Sequence, residues 1–332
     1  METRPSSGSV RFGAALQGSG CPALRNAFLV PATPAQEVVA TNPMKSVRLK
    51  AFAKVNLTLE VLNKRPDGFH NLRTIFQTIS LADTLDVEFS RSRKTAIELD
   101  SSVDIANNLV IRAAHEALEA MQLTARIRFR LTKLIPMGGG LGGGSTDAAA
   151  VLLALPSLAG REVPMQQLLE MGERLGSDVP FFLSGGCSLG LGRGADLYVL
   201  PDPAQVHGLL IAPTVHVSTA EAYGSLNRSA SMTAEAGKPG LMDSRDWPRF
   251  CVNHFESSVF SRHPELAAIK EKLRKLGAKP ALMTGSGAAV FGVFADRASV
   301  QRAARAFPGC LAYPFTFVGR RRYQEIWRKQ VR

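Results

Sequence analysis

Pro136-Met137-Gly138-Gly139-Gly140-Leu141-Gly142-Gly143-Gly144-Ser145-Thr146 is the stretch on which the reading of the whole chain turns. Six of the seven residues 138–144 are glycine, which leaves backbone N–H groups unobstructed and allows positive φ. The alternation of Ile127, Phe129 and Leu131 with Arg126, Arg128 and Arg130 predicts a strand, buried on one face, that leads into the loop at Pro136. A helix over Ser145 to Leu155 is expected directly after it. Its free N–H groups and positive dipole end suit an anion, above all phosphate. A flexible linker would not be pinned between a strand and an apolar helix. The loop lacks the lysine of the Walker A pattern. Gly138-x-Gly140-x-x-Gly143 does match the dinucleotide fingerprint. A dinucleotide fold, however, opens on a strand buried on both faces, with a continuous apolar run in place of alternating arginines. A phosphate loop of another architecture remains.

Upstream, Val47, Leu49, Ala51, Ala53, Val55, Leu57, Leu59 and Val61 alternate with mostly polar neighbours and predict a long, half-buried strand. Its polar face carries Lys50, Lys54, Asn56 and Thr58, so Lys54 and Asn56 point the same way. Lys64-Arg65-Pro66-Asp67-Gly68 is a turn signal. Two further strands are expected near 73–81 and 84–89, and a helix capped at Asn107-Asn108. Downstream, helices are expected over 165–175, through Leu266, Ile269, Leu273 and Leu276, and over 299–307. A strand is expected at 209–212, a strand–turn–strand at 281–294 and a last strand at 311–318, with a linker over 202–208 and a polar loop over 230–240. Strands and helices mix without a repeated βαβ unit, which implies an α+β fold with two layers in each half.

The chain has 332 residues, enough for two domains. Hydrophobic residues make up 45% and charged residues 20%, which excludes a disordered, collagen-like or coiled-coil chain. Forty Lys and Arg against 28 acids give a net charge of +12 and imply an anionic partner: nucleic acid, membrane or a phosphorylated small molecule. Cys21, Cys187, Cys251 and Cys310 lie far apart, which excludes a structural zinc site or disulfide scaffold and suits a reducing cytosol. No apolar run approaches the ~18 residues of a membrane span. Residues 1–43 are rich in Ser, Ala, Pro and Gly, with Glu2 and Glu37 as the only acids. They read as a disordered extension, or as upstream of a start at Met44. The acid-poor composition also suits a transit peptide, which would place the protein in the plastid stroma instead of the cytoplasm.

Three segments occur in an order that resembles the GHMP kinases (galactokinase, homoserine, mevalonate and phosphomevalonate kinases). Ala53-Lys54-Val55-Asn56-Leu57 resembles the first motif, the glycine loop the second, and Leu282-Met283-Thr284-Gly285-Ser286-Gly287-Ala288 the third. Lys54-x-Asn56, Arg65-Pro66-Asp67-Gly68-Phe69-His70 and Leu175-Gly176-Ser177-Asp178-Val179-Pro180-Phe181-Phe182 resemble the branch that acts on a cytidine-diphosphate-linked alcohol. Phe69 stands where that branch usually has Tyr, and Ser145-Thr146-Asp147 where Ser-Ser-Asn or Ser-Ser-Asp is commoner. The resemblance starts near Met44 and leaves residues 1–43 without a counterpart.

The resemblance implies an α+β, two-domain GHMP kinase fold: an N-terminal domain over 44–205, like domain 2 of ribosomal protein S5, and a ferredoxin-like C-terminal domain over 206–332. It implies ATP, with Mg²⁺, as co-substrate and a small-molecule cytidine diphosphate as acceptor. Loop 136–146 would hold the ATP phosphates, with Ser145 or Thr146 meeting Mg²⁺ or a phosphate oxygen; the metal ligands themselves are unassigned. Lys54 would lie between Asp178 and the transferring phosphoryl group, and Asp178 would accept the proton of the attacking hydroxyl. Asn56 would share that polar site. Phe69, His70 and Tyr223 would hold the cytosine, with Thr219 towards the sugar or diphosphate. No nucleic-acid or membrane partner is expected, and the protein is expected to be a monomer or weak homodimer. A homoserine- or mevalonate-type kinase is the alternative within the family. A basic RNA-binding protein is the alternative outside it, and the C-terminal arginines (320–322, 328, 332), without interleaved aromatics, read as a solvated face.

Overall fold

The protein is described by a computed structural model covering residues 43–68, 70–215, 217–224 and 247–331. The extension 1–42, Phe69 and the polar loop expected at 230–240 lie outside the described residues. In chain order the strands and helices are β1 (Lys45–Lys64), β2 (His70–Arg91), β3 (Ala96–Ser101), α1 (Leu109–Ala120), β4 (Ala125–Thr132), α2 (Gly143–Ala159), α3 (Met165–Leu175) and α4 (Val179–Ser184). They continue with β5 (Cys187–Gly192), β6 (Asp196–Val199), β7 (His207–Ala212), α5 (Thr219–Gly224), β8 (Val252–Asn253), α6 (Phe255–Arg262), α7 (Pro264–Lys275), β9 (Ala281–Met283), β10 (Val290–Phe294), α8 (Arg297–Arg305), β11 (Leu311–Thr316) and α9 (Arg320–Gln330).

Two sheets organise these elements. The larger runs β3-β4-β2-β1-β8, with β5 on β2 and β6 on β5. The smaller, β11-β7-β10-β9, is antiparallel throughout. The strands expected at 73–81 and 84–89 are one strand, β2, because β1 pairs with it along almost its whole length. One end of β2 pairs with β5 and the other with β4, so the expected break is a change of partner. β4 keeps its alternation, with the arginines outward and Ile127, Phe129 and Leu131 buried.

β1 differs from the half-buried strand its pattern predicts. Residues 51–59 are buried on both faces. Ala53, Val55 and Leu57 pack with Leu210, Leu282, Phe291 and Phe315 of the smaller sheet. Lys54, Asn56 and Thr58 are therefore polar yet under 7% exposed. Such groups persist in a core only when their hydrogen bonds are made.

The basic C-terminus departs further from expectation. It is a helix, α9, in which Tyr323 and Trp327 lie one turn apart and join the core under the larger sheet. The Tyr323 hydroxyl donates to the Phe182 carbonyl at 2.5 Å. Arg320 is half-buried and donates to Cys187 O and Ser188 Oγ at 2.7 and 2.9 Å. Only part of this arginine run is a solvated face, because aromatics at i and i+4 turn one side of the helix inward. β8 also returns from the C-terminal half to pair with β1.

Candidate active site

Loop 136–142 touches β1 on one side and residues 284–288 on the other. Gly138, Gly140 and Gly142 take φ of 67°, 71° and 72°, the left-handed region open to glycine. A Cβ on Gly140 would stand 2.4 Å from Thr284 O, and one on Gly142 2.7 Å from the Phe182 ring. The loop is thus packed on both sides as well as turned. Lys54 N donates to Leu141 O at 3.0 Å and ties it to β1. α2 begins at Gly143, two residues before the expected start, and Thr146 N donates to Gly142 O. The first N–H groups of α2 have no acceptor within the helix. The Thr146 hydroxyl is buried without a partner.

These residues wall a cavity of about 1000 Å³ that also takes in Lys54, Asn56, His70, Asp178, Thr219 and Tyr223. Every described residue expected at the site except the buried Thr146 lines this one space; Phe69 lies outside the described residues. Lys54 Nζ donates to Asn56 Oδ1 at 2.8 Å and pairs with Asp178 Oδ2 at 3.4 Å. Asp178 directly precedes α4, where Pro180 sits in the first turn, and its side chain is 29% exposed against 4% for Lys54. Asn56 Oδ1 also accepts from Gly285 N at 3.0 Å and Thr284 Oγ1 at 3.2 Å, and Asn56 Nδ2 donates to Thr74 Oγ1 at 2.7 Å. Both ends of the amide are committed, which fixes Lys54 as well.

His70, also in the cavity wall, stacks on Tyr223 with ring centroids 5.5 Å apart, and Tyr223 meets Phe255 edge-on at 4.9 Å. A base between two parallel rings needs roughly twice the ~3.5 Å contact distance. His70 and Tyr223 leave no such gap, so a base meets an outer face or a ring edge. Burial pushes the Tyr223 phenol up to about 12, with the charge of Asp178 adding to it. The phenol is therefore neutral and able to donate. Thr219 Oγ1 lies 3.1 Å from Ser286 Oγ.

A second buried polar centre escaped the sequence reading. Lys133 Nζ sits between Asp83 Oδ2 at 2.5 Å and Asp147 Oδ2 at 2.7 Å, with all three side chains at most 4% exposed. Asp83 Oδ1 accepts from Leu134 N and Ile135 N at 2.5 and 2.8 Å. The cluster thus ties the chain entering the glycine loop to the helix leaving it. Burial works against the charge on Lys133, but the two carboxylates outweigh it and its pKa is raised. Burial pushes Asp147 up to about 7, helped by Asp83 and opposed by Lys133. Asp83 was within reach of the sequence: it lies in phase with Leu81, Leu85, Val87 and Phe89, all buried. A carboxylate on an apolar face implies a buried partner.

The family profile of the GHMP kinases N terminal domain matches residues 108–186, and that of the C-terminal domain residues 239–311. A 4-diphosphocytidyl-2-C-methyl-D-erythritol kinase of Solibacter usitatus is 52% identical over 295 residues, spanning 86% of this chain and 93% of the relative. The chain belongs to the GHMP kinase family. A kinase of the same name from Geobacter metallireducens is 38% identical over 79% of this chain and 94% of its own length. A crystal structure of 4-(cytidine 5'-diphospho)-2C-methyl-D-erythritol kinase superposes with a TM-score of 0.70 at 35% identity, over 82% of this chain and 99% of the other. A homoserine kinase structure from Cytophaga hutchinsonii, at 23% identity and TM-score 0.62, shares the fold. ATP is the co-substrate of a GHMP kinase. No helix among the described residues is long and apolar enough to cross a membrane.

Proposed function

We propose that this GHMP kinase transfers the γ-phosphoryl group of ATP to the 2-hydroxyl of 4-diphosphocytidyl-2-C-methyl-D-erythritol, a step of non-mevalonate isoprenoid precursor synthesis. What carries the reading is one juxtaposition: a lysine–carboxylate pair, 3.4 Å apart, facing the same cavity as a glycine loop at a helix start and a stacked His–Tyr pair. The names of the relatives supply the acceptor.

Phosphoryl transfer depends mainly on positioning and on stabilising phosphate charge. Backbone N–H groups of loop 136–146 hold the phosphates. Asp178 takes the proton of the acceptor hydroxyl as its oxygen bonds to the γ-phosphorus, and ADP leaves. Lys54, fixed by Asn56, keeps Asp178 in place and offsets the charge that gathers on the transferring group. The cavity-lining Ser145 suits Mg²⁺·ATP. Its hydroxyl would hold the ion, which when bound neutralises phosphate charge. His70 offers ring nitrogens to the cytosine edge, Tyr223 a face and a neutral hydroxyl, and Thr219 lies on the diphosphate side. A domain boundary at 205/206 would put the ATP loop in one half and Tyr223 in the other.

The test is ATP turnover against three acceptors: the cytidine diphosphate alcohol, homoserine and mevalonate. Turnover with the first alone supports the reading. Preference for either of the others replaces it with another branch of the family.

A further inference from the structure

Asn253 is 4% exposed and is not among the side chains that line the cavity, yet its amide bonds the backbone of two residues that do, Phe255 and Gly285. Nδ2 donates to the carbonyls of Met283 and Gly285, each at 2.8 Å. Oδ1 accepts from Phe255 N at 3.0 Å. Both donors are used, and the oxygen is engaged as well. The two carbonyls flank Thr284. The turn they pin presents the Thr284 hydroxyl and the Gly285 N–H to Asn56 Oδ1, the same oxygen that receives Lys54 Nζ. Glu256 accepts from Met283 N at 2.8 Å and braces the strand leading into the turn. On the other side, the bond to Phe255 N fixes the start of α6, whose Phe255 ring meets Tyr223.

We propose that Asn253 is a positioning residue for phosphoryl transfer: its amide locks the 283–285 turn against Asn56 and thereby sets where Lys54 stands relative to Asp178. The inference rests on the catalytic reading of Lys54 and Asp178 given above. Only glutamine carries the same planar amide, and its extra methylene would displace it from these three partners. Aspartate keeps the acceptor for Phe255 N but turns an oxygen towards two carbonyl oxygens, so the turn must shift away from Asn56. A misplacement of about 1 Å by a residue remote from the chemistry costs roughly 10²-fold in rate.

The test is steady-state kinetics, with ATP and the cytidine acceptor, on wild type, Asn253→Asp, Lys54→Ala and the double variant, with thermal melts as a folding control. Asn253→Asp is expected to lower kcat about 10- to 100-fold and to change the KM for ATP less than about threefold. On top of Lys54→Ala it is expected to cost less than about twofold, because residues acting through one another are not additive. Equal losses in both backgrounds, or an unchanged kcat in folded Asn253→Asp, overturn the proposal. If Asn253→Asp does not fold, Thr284→Val, which deletes a donor to Asn56 and keeps the shape, must show the same split. If Lys54→Ala keeps wild-type kcat, the catalytic reading falls and the relay with it. If Lys54→Ala loses turnover and Asn253→Asp does not, the relay alone falls.

Discussion

Lys54 and Lys133 are both buried ammonium groups on the wall of one cavity, and each is held by carboxylate, yet their surroundings differ. Lys133 has two carboxylates that are as buried as it is, and Asp83 spends its other oxygen on backbone N–H groups. Lys54 has one carboxylate, 29% exposed, and an amide oxygen that is itself fixed by two further donors. The closed cluster buries both carboxylates and ties the strand before the loop to α2. An open pair keeps a carboxylate oxygen within reach of an incoming hydroxyl. The same two functional groups thus divide into scaffold and chemistry according to which partner meets the cavity.

Removing the open carboxylate tests that division most strongly. Asp178→Asn is expected to lower kcat by about 10²–10⁴-fold, the usual weight of a positioned general base. ATP binding, measured by calorimetry, is expected to persist because the loop makes it. Retained turnover would put Asp178 in the same class as Asp83 and Asp147. The closed cluster should answer in stability. Lys133→Met leaves the buried Asp83–Asp147 pair without its cation and is expected to cost about 3–5 kcal/mol in urea unfolding. Changing Asp83 and Asp147 to Asn as well should recover much of that loss, since a neutral cluster needs no counter-charge. A small loss for Lys133→Met alone would show that the cluster is not what holds the loop.

The cluster also predicts a pH dependence. Folded Asp147 releases its proton near about 7, against 3.8 for an ordinary aspartate. Between those values the folded state holds a proton that the unfolded chain has lost. Its contribution to stability is complete below pH 3.8 and disappears as pH rises through about 7. Unfolding free energy should therefore fall by roughly 2–3 kcal/mol from this group between about pH 5 and pH 8. Asp147→Asn should flatten that slope. An unchanged slope in the variant would assign the loss to other groups.

The two centres also differ in how far the sequence exposes them. The phosphate loop was legible because it is local: six glycines, a strand before and a helix after are contiguous. Lys54 and Asn56 were legible because strand parity puts them on one face. The Lys54–Asp178 pair needed the family resemblance, since 124 positions separate the residues and a lone aspartate before a proline reads as a turn. Asp83 was hidden by the mistaken break in β2, which removed the parity that marks it as buried. Asn253 carries no local signal, because its two-residue strand is too short for any period to show. The helix α9 was missed because charge dominated the reading of residues 320–332, while its buried face rests on Tyr323 and Trp327. Features set by long-range partners did not show in the sequence, and those set by backbone period showed where composition did not mask them.

The smallest expected effect bears on what the open pair requires. A carboxylate left accessible to any alcohol would be unselective, so the acceptor must be anchored elsewhere. His70 is the candidate anchor, stacked on Tyr223 in the cavity wall. His70→Ala removes a ring face and two ring nitrogens, and losing one base contact costs about 1–3 kcal/mol. KM for the cytidine acceptor should rise roughly tenfold, with the KM for ATP nearly unchanged. A matching fall in kcat would mean that His70 also aligns the hydroxyl at Asp178, which would join anchoring and chemistry in one unit. Equal rises in both KM values would mean that the variant disturbs the cavity as a whole and that the cytosine is read elsewhere. With KM for the acceptor alone affected, selectivity lies in the aromatic pair and reactivity in the exposed carboxylate, which allows Asp178 to stay open where Asp147 is closed.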